Sequence, residues 1–164
     1  MKDSLLKPSA PSRARQLLGA AALLTALGLA PYAHAADACK LEISGNDLMQ
    51  YDKPSLAVPA TCKQVTVTLH HSGKLPKEAM GHNWVLLNTS DLQAVATAGM
   101  GAGLAKNFAP DGDQRVIAHT KVVGGGESDS VTFSTAALKK GGDYSYECTF
   151  PGHNALMHGT FKFG

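Results

Sequence analysis

The chain has 164 residues, with 15 lysines and arginines against 13 aspartates and glutamates, and a formal net charge of +2. Residues 1–35 hold four of the basic residues and one of the acidic ones, so residues 36–164 carry 11 basic and 12 acidic side chains. A segment that is nearly neutral and has no basic cluster or stripe is not expected to bind nucleic acid.

The first 35 residues have the pattern of a secretory signal peptide. Basic residues precede an apolar run over 17–30, and Ala33-His34-Ala35 fits an A-x-A cleavage site. The run is 14 residues long, short of the roughly 20 that span a bilayer, so we expect no membrane anchor. We predict cleavage after Ala35, export, and one domain over 36–164 that is large enough to bury a hydrophobic core.

Alternating apolar and polar residues predict a series of short strands in the exported segment. The clearest is 62–71, in which Val65, Val67 and Leu69 share one face with His71. The predicted strands are 39–44, one or two within 48–58, 62–71, 82–88, 115–123, 128–134, 144–149 and 156–163.

Two segments between these strands are predicted to have other structures. Residues 72–80 are expected to form a loop, because Gly73 and Pro76 interrupt them. The sequence Ser-Asp-Leu-Gln at 90–93 matches a capping box, and helical spacing of apolar residues follows it, so we predict one short helix ending near the glycines at 99–103. Seven or eight strands with one helix outside the sheets predict an all-β fold, a two-sheet Greek-key β-sandwich dominated by antiparallel pairs.

Three cysteines, Cys39, Cys62 and Cys148, remain in the exported segment, so one disulfide and one odd thiol are expected. Cys39 and Cys62 each begin an alternating pattern, whereas Cys148 ends one beside a Pro-Gly-His sequence. We therefore pair Cys39 with Cys62 and expect Cys148 to be free. A disulfide between Cys148 and one of the other two stays open at this point, and thiol mapping of the metal-free protein decides between the two pairings.

The stretch around Cys148 contains three kinds of soft or borderline metal ligand. Cys148, His153 and Met157 have the spacing C-x4-H-x3-M around the predicted tip of one hairpin. Thiolate, imidazole and thioether suit copper rather than magnesium or calcium. His82, in Gly-His-Asn-Trp, is the candidate for a second imidazole. Two histidines, one cysteine and a weak axial methionine form a blue-copper electron-transfer site.

Three other interpretations of this pattern are open. A periplasmic copper storage or delivery protein would use similar ligands, and zinc also accepts this set. A copper enzyme needs an open coordination position or a second metal, and the remaining histidines form no second cluster in the sequence, so we expect no enzyme. A metal-free adhesion domain leaves the Cys-His-Met loop unexplained.

Several stretches together resemble the azurins, which are blue type 1 copper proteins of the cupredoxin family. They are the two early cysteines, Met-Gly-His-Asn-Trp-Val at 80–85, Val-Ile-Ala-His-Thr-Lys at 116–121 and the Cys-to-Met loop at 148–157. The resemblance covers essentially all of 37–164. It implies a cupredoxin fold and a monomer that shuttles single electrons in the periplasm between redox proteins such as c-type cytochromes or a copper nitrite reductase.

The resemblance also implies roles for individual residues. His82, Cys148 and His153 would be the equatorial copper ligands, Met157 the weak axial ligand, and the backbone carbonyl of Gly81 would lie on the opposite side. The Cys39–Cys62 disulfide matches one that azurins carry.

Further residues are implied to support the site or to meet partners. Asn83 is expected to tie the His82 loop to the Cys148 loop, and the backbone N–H groups of Asn83 and Phe150 are expected to donate to the Cys148 sulfur. Inward-facing His71 is either an inert core residue or one whose titration is linked to the redox state. The implied apolar docking patch comprises Met49, Leu75, Ala79, Met80, Met100, Phe150 and Leu156.

Overall fold

The computed structural model describes residues 38–164. The predicted signal peptide, residues 1–35, and the predicted start of the domain at 36 lie outside the described residues. None of the helices in the described part of the chain is long and apolar enough to cross a membrane.

The described residues form two packed β-sheets. The first contains, in spatial order, β2 (Gln50–Tyr51), β1 (Lys40–Asn46), β4 (Gln64–His71) and β7 (Ser128–Ser134). The second contains β3 (Ser55–Val58), β9 (His158–Phe163), β8 (Tyr144–Glu147), β5 (Val85–Asn88) and β6 (Val116–His119). Two of the described pairings, β1 with β4 and β3 with β9, are parallel, and the other five are antiparallel. The predicted β-sandwich fold is confirmed.

The alternation of residues in β4 explains why the sheets stack. Val65, Val67 and Leu69 are fully buried between the sheets, whereas Thr66 and Thr68 on the other face hydrogen-bond across to β7. The core centres on the indole of Trp84, which is fully buried and packs against aromatic side chains of both sheets, namely Phe133, Tyr146 and Phe161. These contacts fix the position of the segment that begins with His82.

A helix covers the outer face of the second sheet. It is α2 (Leu92–Ala102), which follows a 3₁₀ turn, Thr89–Asp91, and ends at Gly103, where φ is +74°. Val95 of α2 packs against Val85 and Leu87 of β5. All four residues of β8 are buried, because the other sheet covers one face of the strand and α2 covers the other. The predicted helix outside the sheets is confirmed.

Two local predictions near the helices are wrong. Lys77–Met80 forms one turn of helix, α1, at the end of the predicted 72–80 loop. The capping box is not formed: Asp91 occupies the N-cap position of α2 and makes no side-chain cap hydrogen bond. Ser90 lies inside the 3₁₀ turn, so its hydroxyl is not in the N-cap position.

The strands near the candidate ligands are shorter than predicted. The predicted strand 82–88 begins at Val85, the strand 144–149 ends at Glu147, and the strand 156–163 begins at His158. His82 forms only an isolated bridge with Val123. The candidate ligands His82, Cys148 and Met157 are among the residues that lie just outside the regular strands.

The Cys39–Cys62 disulfide is present, with Cα atoms 5.7 Å apart. Cys148 is a buried free thiol. The predicted pairing is therefore confirmed, and the sulfur of Cys148 is available to a metal ion.

Candidate metal centre

Three side chains from distant parts of the chain meet at one end of the sandwich. The potential ligand atoms of His82, Cys148 and His153 all lie within 4.8 Å of one another, and all three side chains are buried. The sulfur of Cys148 is 3.7 Å from Nδ1 of His153. Within residues 38–164 this is the one group of three or more His, Cys, Asp or Glu side chains that could hold a metal ion.

The loop after β8 folds tightly back onto itself and carries three candidate ligands, Cys148, His153 and Met157. The N–H of Cys148 donates to the carbonyl of Met157 at 2.9 Å, and the N–H of Met157 donates to the carbonyl of His153 at 2.8 Å. Gly152 has φ +81°, a conformation that glycine adopts without steric cost. Met157 is fully buried just before β9. The C-x4-H-x3-M spacing thus corresponds to one hydrogen-bonded turn.

His82 is oriented by a backbone carbonyl of the β1–β2 turn. Its Nε2 lies 2.9 Å from the carbonyl of Asn46, which accepts the proton and leaves Nδ1 with a free lone pair. That Nδ1 is buried and has no hydrogen-bond partner. A buried, unpaired acceptor is costly, and a metal ion shared with the neighbouring thiol and imidazole removes that cost. The donor set therefore fits a bound metal.

Two glycines leave space around these side chains. A Cβ at Gly45 would lie 2.7 Å from Cδ2 of His82 and 3.1 Å from Cε of Met157, so Met157 and His82 are neighbours over the backbone of Gly45. A Cβ at Gly81 would overlap the carbonyl oxygen of Lys77 and lie 2.5 Å from Cγ1 of Val122. At Gly81 the carbonyl of Lys77 and the side chain of Val122 leave no room for a Cβ, and at Gly45 the side chains of His82 and Met157 leave none. Both positions therefore require glycine.

Burial keeps both histidines neutral and the thiol protonated when no cation is present. Burial lowers the pKa of His82 and of His153 to about 4, and burial raises the pKa of Cys148 to about 12. Hydrogen bonds from the backbone N–H groups of Asn83 and Phe150 to the sulfur act in the opposite direction and lower the pKa of Cys148. A metal ion must therefore displace the thiol proton, and a soft thiolate with two imidazoles is the donor set that copper prefers.

Comparison with known proteins identifies the family. The model of copper-binding proteins of the plastocyanin/azurin family matches residues 37–164. An azurin of Bordetella pertussis is 54% identical over 148 residues, which cover 90% of this chain and 97% of that protein. Azurin-1 of Alcaligenes xylosoxydans xylosoxydans is 56% identical over 124 residues, or 76% of this chain and 96% of that protein. A solved structure of azurin Az-iso2 from the obligate methylotroph Methylomonas sp. strain J matches with a TM-score of 0.74 and 45% identity, covering 77% of this chain and 98% of that one. The chain belongs to the plastocyanin/azurin family.

Membership of the plastocyanin/azurin family confirms the predicted function and cofactor. The protein is a blue-copper electron-transfer protein, its cofactor is type 1 copper, and members of the family work with redox partners. The storage or delivery alternative is not favoured.

Asn83 links the segments that carry His82 and Cys148. Its side-chain amide donates to Oγ1 of Thr149 at 2.7 Å and to the carbonyl of Asn107 at 2.8 Å, and its Oδ1 accepts the N–H of Thr149 at 2.9 Å. Sequence reasoning missed Asn107 and Thr149, because both reach Asn83 only through the folded chain. The N–H of Asn83 is left to donate to the sulfur.

The other histidines lie outside the group of three. His71 is buried and stacks on His82, with ring centroids 4.3 Å apart, and its Nε2 is 3.0 Å from the carbonyl of Met80. His158 is exposed, and its Nδ1 is 2.8 Å from the carbonyl of Asn154. His119 is half-buried, with Nδ1 3.0 Å from the carbonyl of Thr120. Burial and stacking fit both interpretations of His71, an inert core residue and one whose titration is linked to the redox state.

Exposed apolar side chains are concentrated beside this site. The large hydrophobic residues that are exposed within the described chain are Leu48 (69%), Leu156 (62%), Met100 (46%) and Leu75 (41%). The N–H of Leu156 donates to the carbonyl of His153, the N–H of Leu48 to Oδ1 of Asn46, and the N–H of Leu75 to Oδ1 of Asp47. Three of the four are thus bonded to the ligand loop or to the turn that holds His82.

The predicted patch residues differ in exposure. Leu75, Ala79, Met100 and Leu156 are exposed, and the remaining three, Met49, Met80 and Phe150, are half-buried. Sequence reasoning missed Leu48, because it assigned this residue to a strand. In the structure Met49 has φ +56°, the chain turns there, and the side chain of Leu48 is left in solvent.

Proposed function

We propose that one copper ion would be held chiefly by His82, Cys148 and His153, with Met157 and the backbone carbonyl of Gly81 as weaker ligands. The observation that carries this proposal is the unpaired, buried Nδ1 of His82 beside a buried thiol and a second neutral imidazole. Bound copper would supply a Cu(II)/Cu(I) couple that holds one electron. The protein is a carrier and performs no catalysis of its own.

The protein residues keep the site the same shape in both oxidation states. His82 is held by the carbonyl of Asn46 and by its bridge to Val123, and Cys148 is held by the N–H groups of Asn83 and Phe150 and by the carbonyl of Met157. Close-packed surroundings resist displacement. Little rearrangement therefore accompanies the gain or loss of an electron.

Electrons leave and enter through the docking face, which we define as the predicted patch together with Leu48. The ring of His153 lies against that of Phe150, with centroids 4.6 Å apart, and the ligand loop contributes Leu156 to the same face. An apolar face of this kind suits brief encounters that bury less than about 1,200 Å². We propose c-type cytochromes or a copper nitrite reductase as partners, and a monomer between encounters.

The periplasm is the proposed location. Residues 1–35 would be removed as a signal peptide, which leaves 36–164 as the mature domain. The Cys39–Cys62 disulfide supports an oxidising compartment.

Titration of the metal-free mature protein with Cu(II), followed by its visible spectrum, tests this function. We expect intense blue thiolate-to-copper charge-transfer absorption that saturates at one copper per chain and disappears in Cys148→Ser. His70→Gln, which removes a half-buried histidine on the outer face of β4, is the matched control and should remain blue. A reversible one-electron wave is expected from a carrier; a colourless product, or ready loss of copper to an acceptor without such a wave, would contradict the proposal.

A further inference from the structure

The β1–β2 turn contacts the His82–Asn83 segment at two points. The carbonyl of Asn46, the last residue of β1, accepts from Nε2 of His82. The hydroxyl of Tyr51, the last residue of β2, donates to the carbonyl of Asn83. Antiparallel pairing of Gly45 with Tyr51 and of Asn46 with Gln50 fixes these two contacts relative to each other. A two-residue strand thus reaches the backbone next to a metal ligand.

The hydroxyl of Tyr51 is protonated at neutral pH and can therefore donate a hydrogen bond. Burial raises the pKa of Tyr51 well above its ordinary value, and the nearby Cys148 sulfur raises it further. The ring packs edge-on against Tyr146, with centroids 5.6 Å apart. The hydroxyl therefore keeps its proton at neutral pH, and the ring contact with Tyr146 holds it in place.

Asn83 passes this constraint to the cysteine. Its N–H donates to the sulfur of Cys148, and its side chain is bonded to both the N–H and the hydroxyl of Thr149, the next residue after Cys148. A hydrogen bond to a thiolate withdraws electron density from the sulfur, so it favours the reduced metal. Any group that fixes the direction of the Asn83 N–H therefore influences the reduction potential.

We propose that Tyr51 is a positioning residue of the copper centre: its hydroxyl holds the Asn83 backbone so that the Asn83 N–H stays directed at the Cys148 sulfur. The proposal rests on Cys148 being the copper ligand and adds a residue from a strand that contributes no ligand. It makes β2 a support of the site rather than a short addition to the edge of a sheet.

The chain offers a matched control in the ring that packs against Tyr51. The hydroxyl of Tyr146 also donates to a backbone carbonyl, that of Lys53. Tyr146→Phe therefore removes a similar hydrogen bond from the same aromatic pair without touching Asn83. Tyr51→Phe removes only the bond to Asn83.

The test compares Tyr51→Phe, Tyr146→Phe and the unsubstituted mature protein. In the metal-free proteins, amide hydrogen exchange of Asn83 is measured by NMR, and in the copper proteins the midpoint potential is measured by voltammetry. We expect Asn83 exchange at least tenfold faster in Tyr51→Phe, and a reduction equilibrium about threefold less favourable, which for one electron is about 28 mV. Tyr146→Phe should stay within twofold of the unsubstituted protein in both measurements.

Equal values for Tyr51→Phe and Tyr146→Phe in either measurement would overturn the proposal. The unsubstituted protein provides a test that needs no variant: the Tyr51 hydroxyl proton should exchange slowly and show a through-bond coupling to the Asn83 carbonyl carbon, and rapid exchange of that proton would also overturn it. If the protein failed to form a blue copper site, the proposed function would fail instead, and the exchange measurement would still report on the bond from Tyr51 to Asn83.

Discussion

Gly45 of β1 packs against the imidazole of His82 with no room for a side chain. A Cβ there would lie 2.7 Å from Cδ2 and 3.2 Å from Cγ of His82, and 3.1 Å from Cε of Met157. Carbon atoms in contact are normally about 3.5–4.0 Å apart, so Gly45→Ala overlaps the ring by roughly 1 Å. The φ of Gly45 is not positive, so the methyl group is excluded by space and not by backbone strain.

The ring of His82 cannot move away without losing its own contacts. Nε2 is bonded to the carbonyl of Asn46, and the ring is stacked on His71 at 4.3 Å. We therefore expect Gly45→Ala to lower the free energy of unfolding of the metal-free protein by about 1–3 kcal/mol, as overpacked cores do. The same displacement moves Nδ1 relative to the sulfur of Cys148, so the blue absorption band should shift or weaken.

Urea unfolding and the visible spectrum of the copper form measure the two effects of Gly45→Ala. Gly101→Ala is the control, because a Cβ at Gly101, in α2, would have no atom within 4 Å. That change should stabilise the protein by up to about 1 kcal/mol through helix propensity and leave the spectrum unaltered. Ordinary stability and an unchanged spectrum in Gly45→Ala would refute the packing argument.

Two further predictions concern charge. Burial raises the pKa of Glu147 from 4.5 to about 8; because the unfolded carboxyl ionises first, stability is lost as pH rises between these values. Glu147→Gln should therefore increase the free energy of urea unfolding of the metal-free protein more at about pH 8 than at about pH 5, and an equal effect at both would contradict this. On the docking face, Leu48→Asp and Met100→Asp should each slow electron self-exchange and reduction by a cytochrome severalfold, measured by stopped flow, without altering the visible spectrum. Ala136→Asp, beyond the far end of β7, adds the same charge as a control, and similar rates for all three variants would remove Leu48 and Met100 from the face.

The strands of the two sheets were predictable because the alternation of apolar and polar residues is a local feature of the sequence. In β4 and β7 apolar and polar residues alternate, and each strand lies where that alternation places it. The Cys39–Cys62 pairing followed from the position of each cysteine at the start of a strand pattern.

The ends of the strands and the helical details were not predictable from pattern alone. His82 and Cys148 were predicted to lie within strands, yet the regular ladder begins only at Val85 and ends at Glu147. His82 forms a single bridge with Val123, and the N–H of Cys148 bonds to the carbonyl of Met157. The capping-box sequence at 90–93 was overridden by the 3₁₀ turn Thr89–Asp91, in which Thr89 hydrogen-bonds to Asp143. These outcomes depend on residues far away in the chain.

The same distinction applies to the site. Cys148, His153 and Met157 could be found from their spacing, because one short turn holds all three. Tyr51 and Gly45 could not, since neither carries a ligand and both reach His82 or Asn83 only after the β1–β2 turn has packed onto the second sheet.

The central claim is that one sulfur and two imidazoles, from His82, Cys148 and His153, share a copper ion. X-ray absorption at the copper edge of the loaded protein tests this most directly, because it identifies the neighbouring atoms. The account predicts one short copper–sulfur distance and two imidazole nitrogens, with the short sulfur distance absent in Cys148→Ser. A copper shell made only of nitrogen and oxygen atoms in the unsubstituted protein would contradict it.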